Sequence, residues 1–389
     1  MFTPIQSVKV NNYRLMVGID ITLKPINVLF GPNGAGKSSF LDVSWFVRDC
    51  AIRGVDFALS QRSHGIGLLY DGATEGDAIT IALETETVKY ELTLVVSSGR
   101  LDLGESLSTA KRGELIHRSV GSKVASFQHL EDGKLYDIPL REPDKLSLGR
   151  YLDFEGDSSE VSEIDTLLRR THHYHSRSFN LFGLRNKGSL TGQETYLSER
   201  GDNLWSALRN LESRRSVDTR YDTIMRYMRR AMPMFEGVII EPTSPTTLYA
   251  SFLERGRRKE INVSGVSDGY LQMLLLLTAL FGQPQDWGCL LLLDEPDIAL
   301  HPWALAVLAE AVKEATSQWS RQVMVATHSP VLLSQFETNE VIATDIVDGK
   351  AKMEFLSDKP EVQDLLEEYA TGSLYMAQVL APQREEALV

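Results

Sequence analysis

Ile26-Asn27-Val28-Leu29-Phe30-Gly31-Pro32-Asn33-Gly34-Ala35-Gly36-Lys37-Ser38 decides how this chain folds. The apolar run Ile26–Phe30 predicts a strand, and it passes straight into a Gly-rich turn. From Gly31 to Ser38 the pattern G-x-x-x-x-G-K-[ST] is matched in full. A helix is expected from about Lys37 to Cys50. Glycines in such a turn let backbone N–H groups surround phosphate oxygens. The helix that follows presents its N-terminus to the same anion. Asn33, Gly34, Gly36, Lys37, Ser38 and Ser39 are therefore the expected phosphate contacts. Lys37 should reach the β and γ phosphates of ATP, and the Ser38 hydroxyl should hold Mg²⁺.

Working outward, three more segments carry chemistry. Leu290–Leu293 predicts a fully buried strand with Asp294 and Glu295 emerging at its end. Asp294 is the expected metal ligand and Glu295 the expected general base. Two carboxylates at a strand end are also compatible with a simple turn. Ala326-Thr327-His328-Ser329-Pro330 closes another apolar strand, which places His328 to sense a γ-phosphate or to act as a structural hydrogen-bonder. Val266-Ser267-Asp268-Gly269-Tyr270 precedes the apolar helix Tyr270–Phe281. Ser267 can cap that helix. The sharper reading is that Ser267 and Gly269 meet the γ-phosphate held by a second subunit.

These four motifs, in this order, resemble the ABC-type ATPases of the structural-maintenance, RecF and OLD group. The nearest resemblance is to stand-alone RecF/OLD-like bacterial ATPases of the AAA family without a Toprim nuclease, a kind found in anti-phage defence. It runs nearly end to end, including the weaker segments Gly201–Trp205 and Gly372–Tyr375. The resemblance implies an α/β fold: an ABC-type phosphate-loop core of mixed or parallel sheet, an antiparallel β subdomain and a helical insert. It implies a homodimer or higher homo-oligomer closing on two ATP molecules, each between Lys37 of one copy and Ser267 of the other. Asp297, Leu300 and His301 would fall at that interface, and Tyr13 or Arg14 would touch adenine. Gln61 is the nearest counterpart of the glutamine that relatives place after the first lobe.

Composition sets the outer bounds. The chain has 389 residues, 43% hydrophobic and 24% charged, the profile of a soluble globular protein. The longest apolar run, Leu271–Phe281, is too short for a membrane span. No secretory leader is evident and Cys50 and Cys289 stand alone, so a cytoplasmic home without disulfides is expected. Net charge is −13, which disfavours wholesale binding to nucleic acid. Yet Arg169–Arg230 holds 13 Lys/Arg against 6 Asp/Glu. That basic stretch reads as a solvated or internally paired surface, or as a contact for nucleic acid or an acidic protein. His172, His173 and His175 lie close together without cysteine, a poor pattern for a tetrahedral metal site.

The expected organisation is a first half-core over 1–140, a basic helical insert over 141–235, a second half-core over 236–357 and an acidic helical tail over 358–389. Asp102–Glu160 reads as turn-rich. Sustained heptads are missing from the insert, and the stretch after His328 shows no acidic cluster of the nuclease kind. The resulting expectation is an ATP-driven switch controlling a separately encoded nuclease or toxin. The competing expectation is a RecF-like repair clamp that binds DNA through the basic insert.

Overall fold

The computed structural model describes residues 3–65, 67–74, 76–97, 100–156, 159–359, 370–376 and 380. Strands β1 (Ser7–Asn11) and β2 (Ile19–Thr22) pair antiparallel, with Val8, Val10, Ile19 and Ile21 turned inward. Strand β3 (Ile26–Phe30) is buried at every residue, as a strand covered on both faces must be. Helix α1 (Lys37–Arg53) starts at the end of the phosphate loop, and α2 (Val55–Ser60) follows it. Strands β4 (Ala78–Glu84) and β5 (Val88–Ser97) pair antiparallel.

The stretch expected to be turn-rich is instead largely sheet. It forms β6 (Arg100–Thr109), β7 (Gly113–Arg118), β8 (Val124–Gln128) and β9 (Leu135–Pro139). With the earlier strands these make an antiparallel sheet in the order β2-β1-β4-β5-β6-β7-β8-β9. Glu105 hid this from the sequence, because it occupies an inward position of β6 where alternation calls for an apolar residue. It is buried, accepting from the Tyr90 hydroxyl at 2.8 Å and the Ser147 N–H at 2.5 Å. Burial pushes its carboxyl above the usual range against the pull of those bonds and of Arg118.

The 141–235 stretch contributes α3 (Ser147–Glu155), α4 (Ser159–Arg169), α5 (Leu181–Asn186), α6 (Leu204–Ser213) and α7 (Arg220–Ala231). It is not wholly helical. Strand β10 (Thr171–His175) joins the nucleotide sheet as its edge, and β11 (Ser189–Leu190) joins a smaller one. Three histidines in five residues mask β10, because only Tyr174 supplies a large apolar surface for a period-2 pattern.

Strands β12 (Phe235–Ser244), β13 (Thr247–Glu254) and β14 (Ile261–Asn262) follow. β13 and β14 pair antiparallel, but β12 is the longer partner of β13. Helix α8 (Asp268–Phe281) buries every residue from Leu271 onward. The remaining core elements are β15 (Cys289–Asp294), α9 (Pro302–Gln318), β16 (Arg321–Ala326), α10 (Pro330–Leu333), β17 (Val341–Val347) and β18 (Lys350–Phe355). Their sheet runs β10-β15-β16-β3-β17-β18, parallel except for β18. The expected tail helix lies mostly outside the described residues. Its described part, α11 (Thr371–Met376), places the Tyr375 ring against Phe30 at 5.3 Å.

Register is what builds the site. His175 pairs with Asp294, Asp294 with Ala326, and Ala326 with Leu29. Four parallel strands therefore end in one row, where open α/β sheets bind their ligands.

Candidate nucleotide-binding site

The loop after β3 takes a backbone shape that favours glycine at three points, Gly31, Gly34 and Gly36. Gly31 has φ 148°, and a Cβ there would lie 2.0 Å from the Thr344 carbonyl oxygen. Gly36 has φ 94° as it opens α1. Lys37 bends back over the loop, its Nζ donating to the Gly31 and Pro32 carbonyls at 2.8 Å each. Burial pushes the ammonium down to about 8, opposed by Asp294 and Glu295. A desolvated cation of this kind gains strongly from an arriving anion. Asn33 and Gly34 are exposed at the loop crest, and Ser38 and Ser39 begin the helix.

The strand ends bring the other residues in. Ser38 Oγ donates to Asp294 Oδ1 at 3.0 Å, and Asp294 is 1% exposed. Two hard oxygen donors side by side suit Mg²⁺. Mg²⁺ bound to Ser38 and Asp294 would neutralise phosphate charge. Glu295 adopts φ 50°, an unusual backbone for a non-glycine, and its N–H donates to the Ala326 carbonyl at 2.9 Å. Thr327 Oγ1 donates to Asp297 Oδ1 at 2.6 Å and accepts from the Ser329 N–H, tying the two strand ends together. Burial and then the Lys37 charge lower the His328 pKa, while Glu295, Asp297 and Asp294 raise it. His328 thus belongs to the same electrostatic cluster.

Sequence reasoning missed three members. His173 and His175 point from β10 toward Asp294, their Nε2 atoms 3.9 and 3.8 Å from its Oδ2. Nε2 of His173 is buried without a hydrogen-bond partner among the described residues. Arg177, just past the strand, donates through Nε to Glu295 Oε2 at 2.5 Å. Their signal lay in register, since His175 is the residue opposite Asp294. Gln61 is exposed at the end of α2. It lines a cleft of about 530 Å³ whose walls also include Arg14, Ser38, Trp45, His175 and Asp294. Among the described residues no group of three or more His, Cys, Asp or Glu is spaced to hold a metal ion.

The reading of Tyr13 as an adenine contact needs correction. Tyr13 is 0% exposed, packs on Phe46 at 5.7 Å and donates its hydroxyl to Asp42 Oδ2 at 2.7 Å. Its ring is committed to the interior. Arg14 is the member of the pair that reaches the cleft, donating to Ser39 Oγ at 3.2 Å and pairing with Asp42 at 3.0 Å. Burial opposes ionisation of Asp42, but Arg62, bonded to it at 2.7 Å, holds its carboxyl below the usual range.

Ser267 and Gly269 stand at the start of α8. Ser267 takes the N-cap position of α8, yet its exposed hydroxyl makes no capping bond among the described residues. At Gly269 a Cβ would sit 2.7 Å from the Ala299 carbonyl oxygen. The start of α8 is therefore pressed against the loop after Glu295, where His301 caps α9. The basic stretch is extensively paired: Arg169 with Asp165, Arg185 with Asp268, Arg215 with Asp222, Arg226 with Glu314 and Arg230 with Glu310.

Residues 26–334 match the family described as "AAA domain, putative AbiEii toxin, Type IV TA system". The chain belongs to that family. By family it is an AAA domain, and its fold is of the ABC-type kind seen in SMC heads. The Old nuclease of Escherichia phage P2 is 20% identical over 402 residues, covering 93% of this chain. The chain spans 64% of that relative's length. Among solved structures, an SMC head bound to the C-winged helix domain of ScpA has a TM-score of 0.51 at 12% identity. That alignment covers 90% of this chain and 96% of the SMC head chain, so the two share a fold. Among the described residues no helix is long and apolar enough to cross a membrane.

Proposed function

We propose that this chain is a switch ATPase that binds Mg-ATP between two copies of itself, hydrolyses it slowly and controls a separate effector. The observation that carries the ATPase reading is the row of strand ends. Lys37, Ser38, Asp294, Glu295 and His328 converge there although the chain supplies them from distant segments. Lys37 holds the terminal phosphates, Ser38 and Asp294 hold the metal, and Glu295 accepts the proton of the attacking water. Ser267, an N-cap whose side chain makes no capping bond among the described residues, and the close-packed Gly269 supply a phosphate-binding helix start for a second copy. Closure would then follow the γ-phosphate, as a population shift between open and closed states.

The effector reading draws on the family description, which names a toxin, and on the phage relative, which is named a nuclease. A nuclease or toxin encoded separately, acting in anti-phage defence in the cytoplasm, is the partner we assign. Pairing of the basic stretch within the chain weakens the motive for a DNA clamp. The test is affinity purification of Glu295→Gln from its native host with Mg-ATP. A stoichiometric protein that is absent with Lys37→Ala supports the switch. DNA retained without a protein partner, and lost steeply with salt, would replace it with the clamp.

A further inference from the structure

Arg177 stands where an empty site and a loaded one must differ. It lies two residues beyond His175, which sits opposite Asp294 in the sheet. Its Nε bonds Glu295 Oε2 at 2.5 Å, the carboxylate assigned above as the base. The Arg177 side chain is 70% exposed and that of Glu295 20%. An ion pair with so exposed a partner adds little stability and exchanges readily. A guanidinium has a planar fork matched to two oxygens of one anion, and a phosphate offers three. The terminal phosphate of ATP would arrive beside Glu295, because Lys37, Ser38 and Asp294 surround that point.

We infer that Arg177 is a γ-phosphate ligand supplied in cis, which occupies Glu295 until that phosphate arrives. The inference rests on the ATPase reading. Without nucleotide, or with ADP, the guanidinium stays on Glu295 and keeps the base engaged. With ATP it moves to a γ-phosphate oxygen and frees the carboxylate. Water then attacks the γ-phosphorus, the bond to the bridging oxygen breaks with its electron pair leaving on ADP, and the water proton goes to Glu295. Arg177 balances the charge on the transferring phosphoryl group. Release of phosphate returns Arg177 to Glu295. The device discriminates ATP from ADP within one protomer, before a second copy adds Ser267.

The test is calorimetric binding of ADP and of β,γ-imido-ATP, both with Mg²⁺, to the full chain. Arg177→Ala should weaken the imido analogue by about 10- to 100-fold, the range of a lost charged hydrogen bond. ADP should change by less than about two-fold, which also shows that the variant is folded. Arg177→Lys should recover part of the loss. Glu295→Gln should tighten the imido analogue, and that gain should vanish when Arg177→Ala is added. Equal weakening of both nucleotides, or of neither, overturns the inference and leaves the ATPase reading standing. Wild-type protein that binds neither nucleotide overturns both.

Discussion

Ser38 Oγ lies 3.0 Å from Asp294 Oδ1, although 256 residues separate them in the chain. The phosphate loop ends on Ser38 and β15 ends on Asp294, so the contact closes the two half-cores over one point. Asp294→Asn should remove the metal-dependent part of ATP binding. ATP affinity measured in Mg²⁺ and in EDTA should differ for the wild type and converge for the variant, an effect of about 10-fold or more. Lys37→Ala should bind poorly under both conditions.

Glu295 carries the proton-transfer prediction. Glu295→Gln should keep ATP binding and lower turnover by about 10²- to 10⁴-fold. Sedimentation should show a species of twice the monomer mass only with ATP. Normal turnover in this variant would move the base elsewhere.

Gly269 tests the second face. A methyl group there meets backbone, the Ala299 carbonyl at 2.7 Å, so the start of α8 must shift. Gly269→Ala should cost about 1–3 kcal/mol in urea unfolding. It should also bind ATP at the Lys37 site without assembling. Unchanged assembly would place the interface away from α8.

His172 makes stability depend on acid. It stacks on Tyr174, and its Nε2 lies 2.5 Å from Gln283 Nε2. Burial pushes its pKa down from 6.5 to about 4, helped by the charges of Arg48 and Arg321. A folded value below the unfolded one means that the unfolded chain binds the proton more readily. The contribution is therefore complete above pH 6.5 and is lost as pH falls from 6.5 toward 4. About 2–3 kcal/mol should disappear over that window. His172→Gln should flatten this part of the curve of unfolding free energy against pH.

The elements most legible in the sequence were those whose pattern is local and unbroken. β3, α1, α8, β15 and β16 each come from contiguous apolar runs or a contiguous motif, and their expected positions agree with the structure within a few residues. Strands β6 to β9 were illegible because buried Glu105 breaks the alternation, and β9 is mostly exposed. β10 was illegible because histidine occupies alternate positions on both of its faces.

By itself the sequence determined that a phosphate loop, a paired carboxylate and a histidine each follow a core strand. Those signals work because glycine conformation, strand burial and strand-end chemistry are properties of a few adjacent residues. Only the tertiary structure decided that Arg177 meets Glu295, that His173 and His175 face Asp294, and that Tyr13 turns inward while Arg14 lines the cleft. It also decided that Arg226 and Arg230 meet Glu314 and Glu310 on another helix. These outcomes depend on sheet order and register, which bring together residues far apart in the chain and leave no mark on the neighbours of either.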